Sequence, residues 1–229
     1  MQLFYKANFE DDTVLDEIDS KHCIRVLRKK VGDEIMVTDG IGNMFTCQVT
    51  EANQKKTKLH ILATQRDFER PKRRIKVVIA PTKNIDRMEY FVEKAVEIGI
   101  SEISFILTKN SERKHLKLDR LNRIAVSAMK QSLKAYLPHL TDLVTLKEYL
   151  GKVETKEQKF VAHLNENSTD LTTKTIGESV CIMVGPEGDF APPEIEMAEA
   201  AGFKMVSMGH SRLRTETAGL VAVTLLNMI

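Results

Sequence analysis

Two short stretches near the C-terminus hold the residues that could do chemistry, VGPEGDF at 184–190 and GHSRLRTETAG at 209–219. In the second, Arg212 and Arg214 precede Thr215 and Glu216 at the mouth of an apolar closing helix. Thr215 is expected to be its N-cap, Glu216 suits the positive end of the helix dipole, and Leu220, Val221, Val223, Leu225 and Leu226 bury its body. Capping leaves the arginines unexplained, because a cation at a helix N-terminus is disfavoured by up to about 1 kcal/mol. A partner for them is expected, either the carboxylate of Glu187 or Glu216 or an external anion such as an RNA phosphate. In the first stretch Gly185 and Gly188 would let backbone approach a ligand closely, and Pro186 stiffens the loop between them. Glu187 and Asp189 would repel phosphates and suit a neutral or cationic ligand. The chain has no P-loop and no Gly-x-Gly-x-x-Gly fingerprint, which disfavours nucleoside-triphosphate chemistry. A plain strand-to-helix turn, with Pro192 and Pro193 opening the next helix, remains open for GPEGDF. A cap and a loop-pinning salt bridge remain open for Glu216 and Arg214.

Positioning such loops is the work of a β-α alternation. The first third reads as short strands, LFYKA, EIMVTDGIGNMFTCQVTE and TKLHILATQ, with a hairpin turn at Asp39-Gly40. HCIRVLRKK is its one helical turn or loop, and the set predicts a small barrel. RDFERPKRR at 66–74 reads as a linker. Beyond it IKVVIAP, ISFILT, KFVAHL, VCIMVG and KMVSMG are strands. IDRMEYFVEKAVEIG, LDRLNRIAVSAMKQSLKAY, PPEIEMAEAAG and TETAGLVAVTLLNMI are helices, the first stopped by Gly99. The pattern predicts a mostly parallel sheet covered on both faces, and both loops fall beyond the carboxyl ends of strands, where such sheets bind ligands.

With 229 residues and 42% hydrophobic content the chain has enough for packed cores. No run approaches the roughly 20 apolar residues of a membrane span, and MQLFYKANFEDD has acidic residues where a signal peptide would need an uninterrupted apolar segment; a cytoplasmic protein is expected. Cys23, Cys47 and Cys181 are scattered and read as buried thiols, and no His or Cys spacing suggests a metal. A net charge of +2 is too small for a general polyanion binder. Local clusters at Arg25, Arg28, Lys29 and Lys30, in the linker, and at Arg120, Arg123, Lys130 and Lys134 make a polyanion groove plausible against the alternative of solvated faces.

GPEGDF and GHSRLRTETAG, in this order and behind a small first domain, closely resemble the RsmE family, the 16S ribosomal RNA uracil-N3 methyltransferases of the SPOUT superfamily. HCIRVLRKKVGDEIMVTDGIG resembles the family's N-terminal PUA-like barrel, KNIDRMEYFVEKAVEIGISEISFILTKNSER the opening of its catalytic domain, and RLNRIAVSAMKQSLKAYLPHL the helical segment that follows. The resemblance implies an α/β fold: a PUA-like β-barrel over 1–68, then a SPOUT domain over 74–229 with a deep trefoil knot. It implies S-adenosyl-L-methionine as cofactor, held by Leu164 and Asn165, by Val184, Gly185, Pro186, Glu187 and Gly188, and by Met208, Gly209, Arg212, Leu213, Arg214 and Thr215. Glu216 is then the candidate base and Arg214 the candidate for holding the uracil anion. RNA contacts are expected at Arg25, Arg28, Lys29, Lys83, Arg87, Arg113 and Lys134. The implied partners are 16S rRNA of the small ribosomal subunit and a second copy of the chain, with no membrane and no metal. The sequence departs from the family pattern at Lys130, where many members have glutamate, at Lys134, where arginine is common, and at Asp189, where glycine is frequent. The alternatives are an inactive RNA-binding dimer, which the intact loops argue against, and a SPOUT methyltransferase for another RNA, which the first domain disfavours.

Overall fold

Alternating apolar residues in the first third build the sheet of one compact unit, Met1–Arg70 with Val126–Leu137. In the computed structural model, which describes residues 2–153, 156–163 and 168–229, its four strands lie in sequence order: β1 (Leu3–Tyr5), β2 (Glu34–Thr38), β3 (Met44–Glu51) and β4 (Lys58–Gln65). β1 runs parallel to β2, and the other two pairings are antiparallel. The inward residues Ile35, Val37, Phe45, Cys47, Val49 and Leu59 close on Phe4, Phe9, Leu15 and Cys23. The turn expected at Asp39-Gly40 is present. The Asp39 carboxylate accepts the N–H groups of Ile41 and Asn43, and Gly40 takes φ +78°. HCIRVLRKK opens as a π-helical turn, His22–Val26, directly after α1 (Glu17–Lys21).

The second unit, Pro71–Ala125 with Pro138–Ile229, alternates as the sequence predicts: β5 (Arg74–Ile79), α2 (Ile85–Ile98), β6 (Glu102–Leu107), α3 (Leu118–Gln131), β7 (His139–Leu140), β8 (Val144–Thr145), α4 (Leu146–Leu150), β9 (Gln158–Ala162), β10 (Thr169–Asp170), β11 (Ser179–Val184), α5 (Pro192–Ala200), β12 (Lys204–Ser207) and α6 (Thr215–Met228). The sheet order is β10-β12-β9-β11-β5-β6-β7, with β8 also on β6, and its pairings are parallel. Parallel strands covered by helices are buried on both faces, which is why β5 and β11 are near-continuous apolar runs.

Two boundaries differ from the sequence reading. The long helix expected to reach Tyr136 ends at Gln131: Lys134 donates its N–H to the Met129 carbonyl, and Leu133 takes φ 57°. Beyond that stop Ala135 turns its carbonyl to the N–H of Gly42 and to the Thr38 hydroxyl. Those long-range bonds gather residues 126–137 with the first unit, whereas a split at 68 and 74 assigns them to the second.

α6 packs on α2 and β5 with no room to spare. A Cβ at Gly219 would stand 2.5 Å from the Phe91 ring and 3.1 Å from the Ile79 side chain. Gly219→Val is therefore expected to lose about 2–3 kcal/mol by overpacking, lowering the melting temperature by roughly 5–10 °C. Thermal melts followed by circular dichroism check this; an unchanged midpoint would show that the two helices can separate freely.

Candidate active site

Because β12, β9 and β11 are neighbours and parallel, their carboxyl ends lie at one end of the sheet, where the end of β9 and the loops after β11 and β12 line a cleft of about 280 Å³. Its lining includes Ala162 at the end of β9 and His163 after it, Val184, Gly185, Pro186, Glu187 and Asp189 from the end of β11 and its loop, and Val206, Met208, Gly209, Arg212, Leu213 and Thr215 from β12 to the start of α6. Nine residues expected there from the sequence thus come together: Val184, Gly185, Pro186, Glu187, Met208, Gly209, Arg212, Leu213 and Thr215. Gly188 and Arg214 do not line the cleft, and Leu164 and Asn165 lie outside the described residues. His163 and Ala218 line it without having been singled out as ligand contacts, and Asp189, noted in the sequence only for its charge, lines it too. Only the adjacency of β9 to β11 and β12 could have pointed to His163.

The GPEGDF loop is fixed from outside. Asn110 donates through Nδ2 to the carbonyls of Gly188 and Asp189, each at 3.0 Å, and the Asp189 N–H closes a turn onto the Pro186 carbonyl. The missing Cβ atoms at Gly185 and Gly188 make room for the Phe190 ring and for Asn110 respectively, each 3.1 Å from where a Cβ would be. Both glycines thus make room for the packing of the loop, and Gly185 also lines the cleft. Pro192 and Pro193 open α5, as the sequence predicts. The buried Glu194 accepts the N–H groups of Ala191 and Lys109, tying that helix to the end of β6.

At the second loop the expected cap is corrected. Arg214, in extended conformation (φ −70°, ψ 155°), is the N-cap residue of α6, and its side chain makes no capping hydrogen bond. Thr215 is the first helical residue, buried and turned to the cleft, so its side chain is placed to meet a ligand rather than to cap. Glu216 is buried one position further on; its Oε1 lies 3.7 Å from Arg87 Nε, and its Oε2 has no hydrogen-bond partner among the described residues. Glu187 accepts the N–H of Lys83 on Oε1, and its Oε2 is buried without a partner among the described residues. Neither carboxylate therefore pairs with Arg212 or Arg214, both of which are exposed and in no ion pair among the described residues.

The expected RNA-contact residues fall into two groups. Arg25 and Arg28 are exposed, Arg25 donating to Gln54 and Lys29 to the Glu34 carbonyl. Arg113 instead spreads its guanidinium over the carbonyls of Thr82 and Lys83, Lys83 pairs with Glu112 at 2.7 Å, and Arg87 faces Glu216. Those three fasten the turn before α2 and the start of α6. Lys134 is half-buried, and Lys130 pairs with Asp19 at 2.9 Å inside the first unit. All three cysteines are buried as free thiols, with burial pushing Cys47 up to about 12. No helix among the described residues is long and apolar enough to cross a membrane, and these residues contain no cluster of three or more potential metal ligands.

A small sheet followed in sequence by a parallel sheet whose last loops form a cleft defines a class: residues 69–227 match the family model of an RNA methyltransferase domain, and residues 15–62 that of an RNA methyltransferase PUA domain. Within that class the chain belongs to the ribosomal RNA small subunit methyltransferase E family. The enzyme of that name from Synechocystis sp. is 30% identical over 213 residues, covering 90% of this chain and 69% of the relative. Among solved structures, a probable rRNA-methyltransferase from Porphyromonas gingivalis is 39% identical with a TM-score of 0.94, over 100% of this chain and 98% of the other. The ribosomal RNA small subunit methyltransferase E of Neisseria gonorrhoeae, solved bound to S-adenosyl methionine, is 26% identical with a TM-score of 0.90, over 100% and 97%.

Proposed function

We propose that this chain transfers the methyl group of S-adenosyl-L-methionine to N3 of a decoding-region uridine in 16S rRNA of the small ribosomal subunit, acting in the cytoplasm as a homodimer whose final strands tie a trefoil knot. The observation that carries the reading is the cleft at the carboxyl ends of β9, β11 and β12, in a chain that superposes over its whole length on a relative solved with that cofactor. The residues fit such a ligand. Val184, Val206, Leu213 and Ala218 supply apolar walls, while Glu187, with one buried unpartnered oxygen, offers negative charge to a cationic group. Bound there, the cofactor supplies an already activated methyl group, so that alignment does much of the catalysis.

The acceptor needs more help than the donor. Uracil N3 is a weak nucleophile while protonated, so a base must take its proton and a cation must hold the resulting anion. Glu216, with its unpartnered Oε2, is the proposed base, and the exposed Arg214 beside it holds the uracil oxygens or a flanking phosphate. Arg212, at the cleft, adds a second phosphate contact. Folded RNA would have to turn the target base out of its stack to reach these groups. Two measurements test the reading: calorimetric titration with S-adenosylmethionine, and mass-spectrometric mapping of 3-methyluridine in rRNA from cells lacking the gene. An unchanged map would remove the assignment. A chain that bound RNA but no cofactor would be an inactive scaffold.

The first unit is proposed to dock RNA through Arg25, Arg28 and Lys29, with phosphate contacts that position rather than specify. Reversing Arg25 and Arg28 to glutamate is expected to weaken RNA binding by about tenfold or more and to flatten its salt dependence, leaving cofactor affinity unchanged. Filter binding across a salt series, with calorimetry alongside, reads both. A parallel loss of cofactor binding would contradict the division of labour between the units.

A further inference from the structure

Asp189 occupies a left-handed backbone position, φ 61°, where glycine is the easy choice. Its carboxylate is nevertheless engaged at both oxygens. Oδ1 accepts the N–H of Phe190 at 2.7 Å, and Oδ2 lies 3.1 Å from His163 Nδ1. His163 directly follows β9 and Asp189 belongs to the loop after β11, two paired parallel strands, and both side chains line the cleft. The pair therefore joins the end of β9 to the loop after β11 across the cleft. The bridge is close but not closed: Nδ1 is buried, and despite the 3.1 Å approach it has no aligned hydrogen-bond partner among the described residues.

Resting on the reading of this cleft as the methyl-donor site, we propose that His163 and Asp189 are positioning residues that tie the end of β9 to the loop after β11 beside the donor, the contact aligning as the donor fills the cleft. The Asp189 side chain is 52% exposed, so water screens the pair and it contributes little to the stability of the protein alone. A ligand that covers it excludes that water and strengthens the attraction. The clamp thus acts on donor retention rather than on folding, and it holds the donor still for attack.

Calorimetry with S-adenosylmethionine on the full-length protein tests this with four variants: Asp189→Gly, which suits the left-handed backbone; His163→Ala; the double variant; and Asp189→Asn, which tolerates the same backbone and keeps an acceptor oxygen. Each single loss is expected to weaken binding by about tenfold, and the double variant by no more than either single one, because one contact is removed in all three. Asp189→Asn should stay within about threefold of the parent. The melting temperature without ligand should be unchanged throughout, whereas a purely structural role would lower it and spare affinity. Parent-like binding by Asp189→Gly, or losses that add in the double variant, would overturn the clamp. If the unaltered protein bound no S-adenosylmethionine, the donor-site reading would fall and the clamp with it; intact binding by both parent and Asp189→Gly would sink the clamp alone.

Discussion

Replacing Lys76 by methionine is expected to lower folding stability by about 3–5 kcal/mol. Lys76 interrupts the apolar run of β5 and is buried, its Nζ 3.2 Å from Glu102 Oε1 and 3.5 Å from Glu157 Oε1, two carboxylates that are themselves buried. A buried ion pair adds little net stability over an apolar core, but removing one member leaves the others charged without water. Burial opposes the charge on Lys76, and the two carboxylates more than offset it, so that its pKa is raised. Burial likewise works against the Glu102 charge, and Arg74 at 2.7 Å together with Lys76 outweighs it, holding that carboxyl below the usual range. The signs follow. Stability from Glu102 is present above its unfolded pKa of about 4.3 and is lost as pH falls through the lower folded value. Stability from Lys76 is present below its unfolded pKa of about 10.4 and is lost as pH rises through the higher folded value. In Lys76→Met the penalty should therefore be full near neutral pH and shrink at low pH, where Glu102, which keeps Arg74 but has lost the lysine, is protonated. Urea titrations of parent and variant at both pH values measure this; a penalty independent of pH would show that the lost lysine stem, not its charge, sets the effect.

Exchanging Glu216 for glutamine is expected to lower kcat by about a hundredfold or more if it removes the proton from uracil N3. Glutamine keeps the length of the side chain and its place in the first turn of α6 but cannot accept the proton. Because Glu216 does not line the cleft, donor affinity should be unaffected, and because the Arg87 contact is long, at 3.7 Å, the melting temperature should change little. Single-turnover methylation of small-subunit RNA, with donor binding measured separately, distinguishes the roles. A kcat within about threefold of the parent would assign Glu216 to the helix dipole and the Arg87 contact, leaving the base to be sought elsewhere.

Much of the β-α order was legible in the sequence because apolar period and helix stops are local properties. Gly99 ends α2 in a left-handed conformation, Pro192 and Pro193 open α5, and Asp39-Gly40 turns the hairpin, each through backbone chemistry that one residue carries with it. Charge pairing was not legible. Arg87 and Arg113 were expected at RNA; in the structure one faces Glu216 and the other holds the carbonyls of Thr82 and Lys83. Thr215 read as a cap because its type favours one; the chain instead begins α6 at it and turns its side chain to the cleft.

By itself, then, the sequence determined the α/β class, the two loops that carry the site and the excess charge of Arg212 and Arg214 that no helix cap explains. Only the tertiary structure decided what meets across those loops. Placing β9 between β11 and β12 brings His163 to Asp189, and stopping α3 at Gln131 sends residues 126–137 to the first unit. The same folding seats Lys76 between two carboxylates 26 and 81 positions away in the sequence. The physical reason is that strand order and ion pairing depend on contacts between residues far apart in the chain, whereas period, caps and turns are written within a few residues of one another.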